Sequence, residues 1–207
     1  SILMKITLPS LYAFLFLFVF LYPSHGERDE RPNIILFLVD DYDKPETSPY
    51  GGKVLTPNLD RLAKEGMICH NAQVTSTVCT PSRYTFLTGR YASSSYSITF
   101  LEECPEGTQA LPAFNVGLES DRMNVGRVLA DAGYATGFVG KYHVHDTDHS
   151  KQGSLFGNLD VPKNAKYSDE LNKRKFKLEK LQREMVKKNG FTWAKNIYWG
   201  NLKQPFK

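Results

Sequence analysis

The most specific pattern in this chain is Cys79-Thr80-Pro81-Ser82-Arg83-Tyr84-Thr85-Phe86-Leu87-Thr88-Gly89-Arg90. Proline suits the first turn of a helix because it lacks an N–H, so Pro81 and Ser82 predict the start of a helix. A group at position 79 then lies near the positive end of the helix dipole, which favours anions. Arg83 stays cationic and offers forked donors for oxyanions. These residues alone leave open a free cysteine ahead of an ordinary helix.

The stretch resembles the sulfatase signature, which reads Cys-x-Pro-Ser-Arg followed three residues later by Leu-Thr-Gly. The resemblance implies that a formylglycine-generating enzyme oxidises Cys79 to formylglycine, whose hydrate attacks the sulfur of a sulfate ester. It also places Arg83 in the catalytic site. The function it implies is a sulfuric ester hydrolase that acts on aryl, sugar or glycosaminoglycan sulfates and releases inorganic sulfate.

Two adjacent carboxylates, Asp40 and Asp41, follow the apolar run of residues 33–39. The run is rich in β-branched and aromatic residues, which predicts a strand buried on both faces. Aspartates at such a position are common in caps and turns. The sulfatase resemblance implies instead that both bind a divalent cation, Ca²⁺, that also contacts residue 79, and oxygen ligands suit that ion. Asp43 is interpreted as part of a loop.

The segment Gly137-Phe138-Val139-Gly140-Lys141-Tyr142-His143 resembles the second sulfatase motif, Thr-Gly followed by Gly-Lys-x-His. The resemblance implies that Lys141 contacts the sulfate and that His143 bonds the formylglycine hydroxyl. A lysine can neutralise an oxyanion and a histidine can pass a proton near neutral pH. Without the signature, an exposed lysine and a loop histidine are the alternatives. His145 is expected in a loop that contacts substrate or is solvated.

The order of elements predicts an α/β fold. Helices are expected over residues 56–66, 124–133 and 167–188, and strands over 134–140 and, after the first helix, 67–74. Alternating helices and apolar strands indicate a mainly parallel sheet flanked by helices, with ligands bound beyond the carboxyl ends of the strands. The resemblance adds that the fold is alkaline-phosphatase-like. It also implies that the fold is incomplete at the C-terminus, because sulfatases are usually much longer.

The N-terminus predicts export. Residues 1–26 are interpreted as a signal peptide, because an uncharged apolar run too short to span a bilayer precedes small residues at Ser24 and Gly26.

Residues 31–207 are the expected N-terminal catalytic domain of a sulfatase, truncated and therefore poorly active alone. The mature chain is expected to be secreted or otherwise exported, in the extracellular space, a lysosome or the periplasm, without a stable membrane span after the signal is cleaved; an uncleaved membrane anchor is the alternative.

Charge and cysteine content leave two alternatives open. The net charge of +4 comes with no finger, RNP or helix-turn-helix pattern, so nucleic acid is not an expected partner. Cys69 and Cys104 can pair after export, or both can be buried thiols. A phosphate or phosphonate ester hydrolase of the same superfamily, and a non-catalytic protein that binds sulfated glycans, are the alternative functions.

Overall fold

A computed structural model describes residues 31–145 and 168–198. The chain divides into two compact units, residues 1–39 and 40–207. The predicted signal peptide lies outside the described residues, as do Asp146, Asp148 and His149 of the loop after the second motif. The helices and strands of the described part are α1 (Pro57–Glu65), α2 (Cys79–Thr88), α3 (Ile98–Glu103), α4 (Val125–Asp131), β1 (Gly137–Lys141), α5 (Asp169–Lys188) and β2 (Trp193–Tyr198), with short 3₁₀ turns at Lys44–Glu46, Ser48–Tyr50 and Ala92–Ser94.

The first unit corrects a prediction. Residues 31–39, the part of this unit that the structure describes, form no strand. Their apolar side chains are exposed, with Ile35 at 88% and Phe37 at 84%. A strand needs a hydrogen-bonded neighbour to satisfy its backbone, and the only sheet among the described residues pairs β1 with β2. The apolar run therefore has strand composition without a partner strand.

The α/β class with parallel pairing is confirmed in the second unit. Strands β1 and β2 pair in parallel from Gly137 opposite Trp193 to Lys141 opposite Tyr198. An irregularity between Val139 and Gly140 shifts the register, as an extra residue in one strand does. Helix α5 precedes β2 and packs against it, as expected for a crossover between parallel strands.

The boundaries of several elements differ from the sequence expectation. Strand β1 begins three residues later than predicted and alternates in burial, with Val139 exposed at 60%. Such alternation indicates one packed face rather than two. The segment 67–74 forms no strand and is largely exposed. Helices α1, α4 and α5 agree with the predicted segments to within one or two residues.

A buried core connects the second helix to the sheet. It contains Tyr84 and Leu87 of α2, the aromatic rings of Tyr142 and Phe191, and aliphatic residues from the loops and strands. Beneath α2, the buried carboxylate of Glu119 accepts hydrogen bonds from Tyr84 Oη and Ser95 Oγ and from the backbone N–H of Tyr96. A buried charge needs such a set of donors to remain in an apolar interior. The core therefore fixes α2 against the segment that carries the second motif.

His145 lies in this interior and not in a solvated loop, which corrects the sequence expectation. It is 7% exposed and forms a parallel bridge with Leu118. Its ring packs edge-on against Tyr142 at a centroid distance of 4.9 Å. Burial, assisted by the charge of His143, lowers the pKa of His145 from 6.5 to about 3. The imidazole is therefore neutral in the folded chain at any ordinary pH.

This buried imidazole predicts acid sensitivity. Because the pKa is lower in the folded than in the unfolded chain, the unfolded chain binds more protons between pH 6.5 and about 3. The contribution of neutral His145 to the free energy of unfolding is complete above pH 6.5. It is lost as the pH falls, by at most about 1.4 kcal/mol per pH unit. We expect His145→Gln to reduce the slope of unfolding free energy against pH, measured by urea denaturation between pH 7 and 5. An unchanged slope in the variant would contradict this account.

Candidate active site

The signature stretch forms helix α2, and each half of the motif has a separate structural role. Cys79 is the first residue of the helix, and no side chain caps the helix N-terminus. At the other end Leu87 is buried in the core. The hydroxyl of Thr88 donates to the carbonyl of Tyr84. Gly89 ends the helix at φ 67°, a conformation that glycine adopts without a steric cost. The Leu-Thr-Gly half therefore anchors and terminates the helix that presents residue 79.

The cysteine faces the histidine of the second motif. The Cys79 Sγ and the His143 Nδ1 lie 3.3 Å apart, although 64 positions separate the two residues in sequence. Burial and, to a smaller extent, the nearby cations Lys141 and Arg83 together lower the pKa of His143 from 6.5 to about 4, although the charge of Asp40 opposes them. A neutral imidazole can therefore accept a proton from a group at position 79 near neutral pH.

One carboxylate holds both cations of the site. Arg83 Nη2 donates to Asp40 Oδ1 at 3.0 Å, and Lys141 Nζ donates to Asp40 Oδ2 at 2.9 Å. A second guanidinium nitrogen of Arg83 donates to the carbonyl of Lys141 at 2.6 Å. Arg83 and Lys141 are only 7% and 6% exposed. Although burial raises the pKa of Asp40, the hydrogen bonds from Lys141 and Arg83 outweigh it and leave that pKa below 3.8.

Two residues at the site have a left-handed backbone conformation. Asp41 has φ 54° and His143 has φ 55°, values that cost a residue with a β-carbon roughly 1–2 kcal/mol. Such conformations persist only where the surrounding structure fixes them, and they concentrate at functional sites. The residue after Asp40 and the second residue after Lys141 are therefore held in a turned conformation. Asp41 itself is exposed, and among the described residues it is Asp40 whose carboxylate accepts hydrogen bonds from the site's cations.

The described residues do not fit a calcium ion. Both oxygens of Asp40 accept hydrogen bonds from cations, and positive charge beside a carboxylate disfavours a second cation. In the ranges 31–145 and 168–198 there is no group of three His, Cys, Asp or Glu side chains that can hold a metal. Calcium takes six to eight oxygen ligands. Asp40 and Asp41 alone do not form that site.

The structure adds one residue that the sequence did not indicate. The ring of Phe114 lies 5.6 Å from the ring of His143, centroid to centroid. Its side chain remains 62% exposed and is therefore open to a ligand, as aromatic side chains that line binding pockets are. Phe114 belongs to no motif and to no helix or strand, so only the folded arrangement identifies it.

The cysteines that flank the signature are unpaired. Cys69 is an exposed free thiol and Cys104 is a buried one. The alternative of two buried thiols therefore holds for Cys104 alone. Among the described residues, no helix is both long enough and apolar enough to cross a membrane.

Comparison with known proteins identifies the family. The sulfatase family model matches residues 32–201. The chain belongs to the sulfatase family. It is 38% identical to human steryl-sulfatase over 139 residues, which is 67% of this chain and 23% of that protein. It is 37% identical to N-acetylgalactosamine-6-O-sulfatase from Bacteroides thetaiotaomicron over 123 residues, 58% of this chain and 22% of the other.

An uncharacterised sulfatase of Escherichia coli K12 matches over a longer range, with 31% identity over 180 residues, 81% of this chain and 33% of the relative. This sulfatase chain thus spans between about a fifth and a third of the length of these relatives. The matched range contains both motifs and both aspartates.

The ion pairs of Asp40 predict a stability effect. Asp40→Asn removes the negative charge and leaves Arg83 and Lys141 buried without a counter-charge. Breaking a buried ion pair costs about 3–5 kcal/mol of folding stability. Because Asp40 is partly exposed, we expect the free energy of unfolding to fall by no more than this amount. Urea denaturation measures it. Asp43→Asn is the matched control, because Asp43 is exposed. Equal stability of the two variants would mean that the ion pairs do not support the fold.

Proposed function

We propose that this chain provides the nucleophile and two anion-binding cations of a sulfuric ester hydrolase, with residue 79 as formylglycine. The observation that carries the proposal is the position of Cys79. It stands at the uncapped start of α2 and 3.3 Å from His143. Arg83 one turn along the helix and Lys141 at the end of β1 share one carboxylate beside it. A nucleophile, a proton-transfer group and two cations thus occupy one site.

The helix supports the attacking oxygen and the sulfate. The first-turn N–H groups of α2 have no side-chain cap, and the helix dipole favours negative charge at that end. Hydrated formylglycine supplies one hydroxyl that attacks sulfur and a second that allows sulfate to leave. An unmodified cysteine or a serine lacks the second hydroxyl. The modification by a formylglycine-generating enzyme is therefore part of the proposal.

His143 is proposed as the proton-transfer residue. Its neutral ring faces position 79, so it can accept a proton there and return one to the leaving alcohol. Arg83 and Lys141 are proposed to bind sulfate oxygens. Both already interact with a carboxylate, and a sulfate group presents comparable oxygen acceptors.

We propose that Asp40 and Asp41 bind a divalent cation, Ca²⁺, only where further oxygen ligands complete its coordination. The described residues leave Asp40 neutralised by two cations. We therefore propose that these 207 residues hydrolyse sulfate esters slowly by themselves. Export through a signal peptide, and final placement outside the cytosol, are part of the same proposal.

The proposal predicts slow turnover that depends on modification. A fluorogenic aryl sulfate is incubated with the chain produced in cells with and without a formylglycine-generating enzyme. We expect sulfate release only from the modified chain, and none from Cys79→Ser, because the second hydroxyl is absent. His143→Gln is expected to reduce the rate by about 10²–10⁴-fold, as loss of a general acid or base does.

The controls separate the alternatives. A matched aryl phosphate tests the superfamily alternative, and faster turnover of phosphate would overturn the choice of sulfate. Release that persists in Cys79→Ser would exclude residue 79 as the nucleophile. A rate close to that of the longer sulfatase relatives would contradict the proposed low activity of this chain.

A further inference from the structure

The outward face of helix α5 carries a row of lysines. Lys173, Lys177, Lys180, Lys187 and Lys188 are all exposed. Their spacing places them on one side of the helix, since residues three, four and seven apart share a face. At 1.5 Å per residue the row is about 22 Å long. We refer to these five residues as the lysine row.

The opposite face of α5 fixes the direction in which the lysine row points. Leu171, Gln182 and Val186 are the buried residues of the helix, and Val186 belongs to the main core. The helix cannot rotate without exposing these residues. The Ser168 side chain caps its start by accepting from the N–H of Leu171 at 3.1 Å. The lysine row is therefore a fixed surface feature of the fold.

Two acidic residues of α5 pair with arginines that are not part of the lysine row. Glu170 pairs with Arg174 and Glu179 pairs with Arg183. Glu184 pairs with Lys187 at 3.2 Å. In the part of the chain that the structure describes, no ion pair is formed by Lys173, Lys177, Lys180 or Lys188. Four positive charges of the row thus remain available to an external polyanion.

We propose that the lysine row binds a sulfated polysaccharide. Sulfate esters on a linear polymer repeat at intervals and stay anionic at every ordinary pH. A polymer of this kind can place several negative charges along the lysine row, which is about 22 Å long at 1.5 Å per residue. A membrane surface fits less well, because Leu171 and Val186 of α5 are buried in the fold and only Phe176 and Leu181 are exposed large apolar side chains of the helix. The surface lies outside the candidate active site, so the proposal stands whether or not Cys79 is modified.

Heparin binding by the full chain tests the proposal. The variant Lys173→Gln/Lys177→Gln/Lys180→Gln is compared with Lys53→Gln/Lys64→Gln/Lys195→Gln, which removes three exposed lysines elsewhere and changes the net charge equally. We expect the first variant to weaken heparin binding at least about tenfold and to reduce the salt slope of log K by about one per lysine. We expect the second to change the affinity less than about twofold, because only local charge contacts the polymer.

Two further comparisons make the outcome decisive. Lys173→Arg/Lys177→Arg/Lys180→Arg is expected to keep heparin binding, and circular dichroism verifies that all variants retain their helix. Desulfated heparin is expected to bind more weakly than heparin. Equal losses in both glutamine variants would overturn the proposal in favour of general electrostatic attraction. Tighter binding to phosphatidylserine vesicles than to heparin, lost in the first variant, would overturn it in favour of a membrane surface.

Discussion

The carboxylate of Asp40 is the constraint on which the candidate site depends. It accepts from Arg83 of α2 and from Lys141 of β1, so it connects the helix that begins with Cys79 to the strand that leads into His143. Both cations are nearly buried, and buried charges require a partner. One carboxylate therefore fixes the relative positions of residue 79 and the imidazole that faces it. Because both oxygens of Asp40 accept hydrogen bonds from these cations, the carboxylate is less able to bind a metal ion.

The same arrangement accounts for the electrostatics of the site. Burial, assisted by the positive charges of Lys141 and Arg83, lowers the pKa of His143 and keeps its ring neutral. Arg83 and Lys141 both donate hydrogen bonds to an anion within the chain, the carboxylate of Asp40. The left-handed backbone at Asp41 and His143 shows that the chain holds both turns against an intrinsic preference. The site is therefore organised before any ligand is present.

The sequence was informative where the chemistry is local or the motif is extended. Pro81 and Ser82 predicted the start of a helix, which the structure shows over Cys79–Thr88, and the parallel α/β class followed from the alternation of helices and apolar segments. The strand at residues 33–39 was wrong because composition does not reveal whether a partner strand is present. His145 was placed in a loop because its burial depends on Leu118 and Tyr142, which come from distant positions. The contact of Phe114 with His143, and the neutralisation of Asp40, likewise exist only in the folded chain.

The central claim is that residue 79 serves as a sulfatase nucleophile. Mass spectrometry of peptides covering residues 71–90 tests it most directly, using the chain secreted from a host with a formylglycine-generating enzyme. The account predicts loss of the thiol mass and appearance of an aldehyde at position 79 that a carbonyl-reactive probe captures. An unmodified Cys79 under those conditions would contradict it and would leave polyanion binding by the lysine row as the better supported activity.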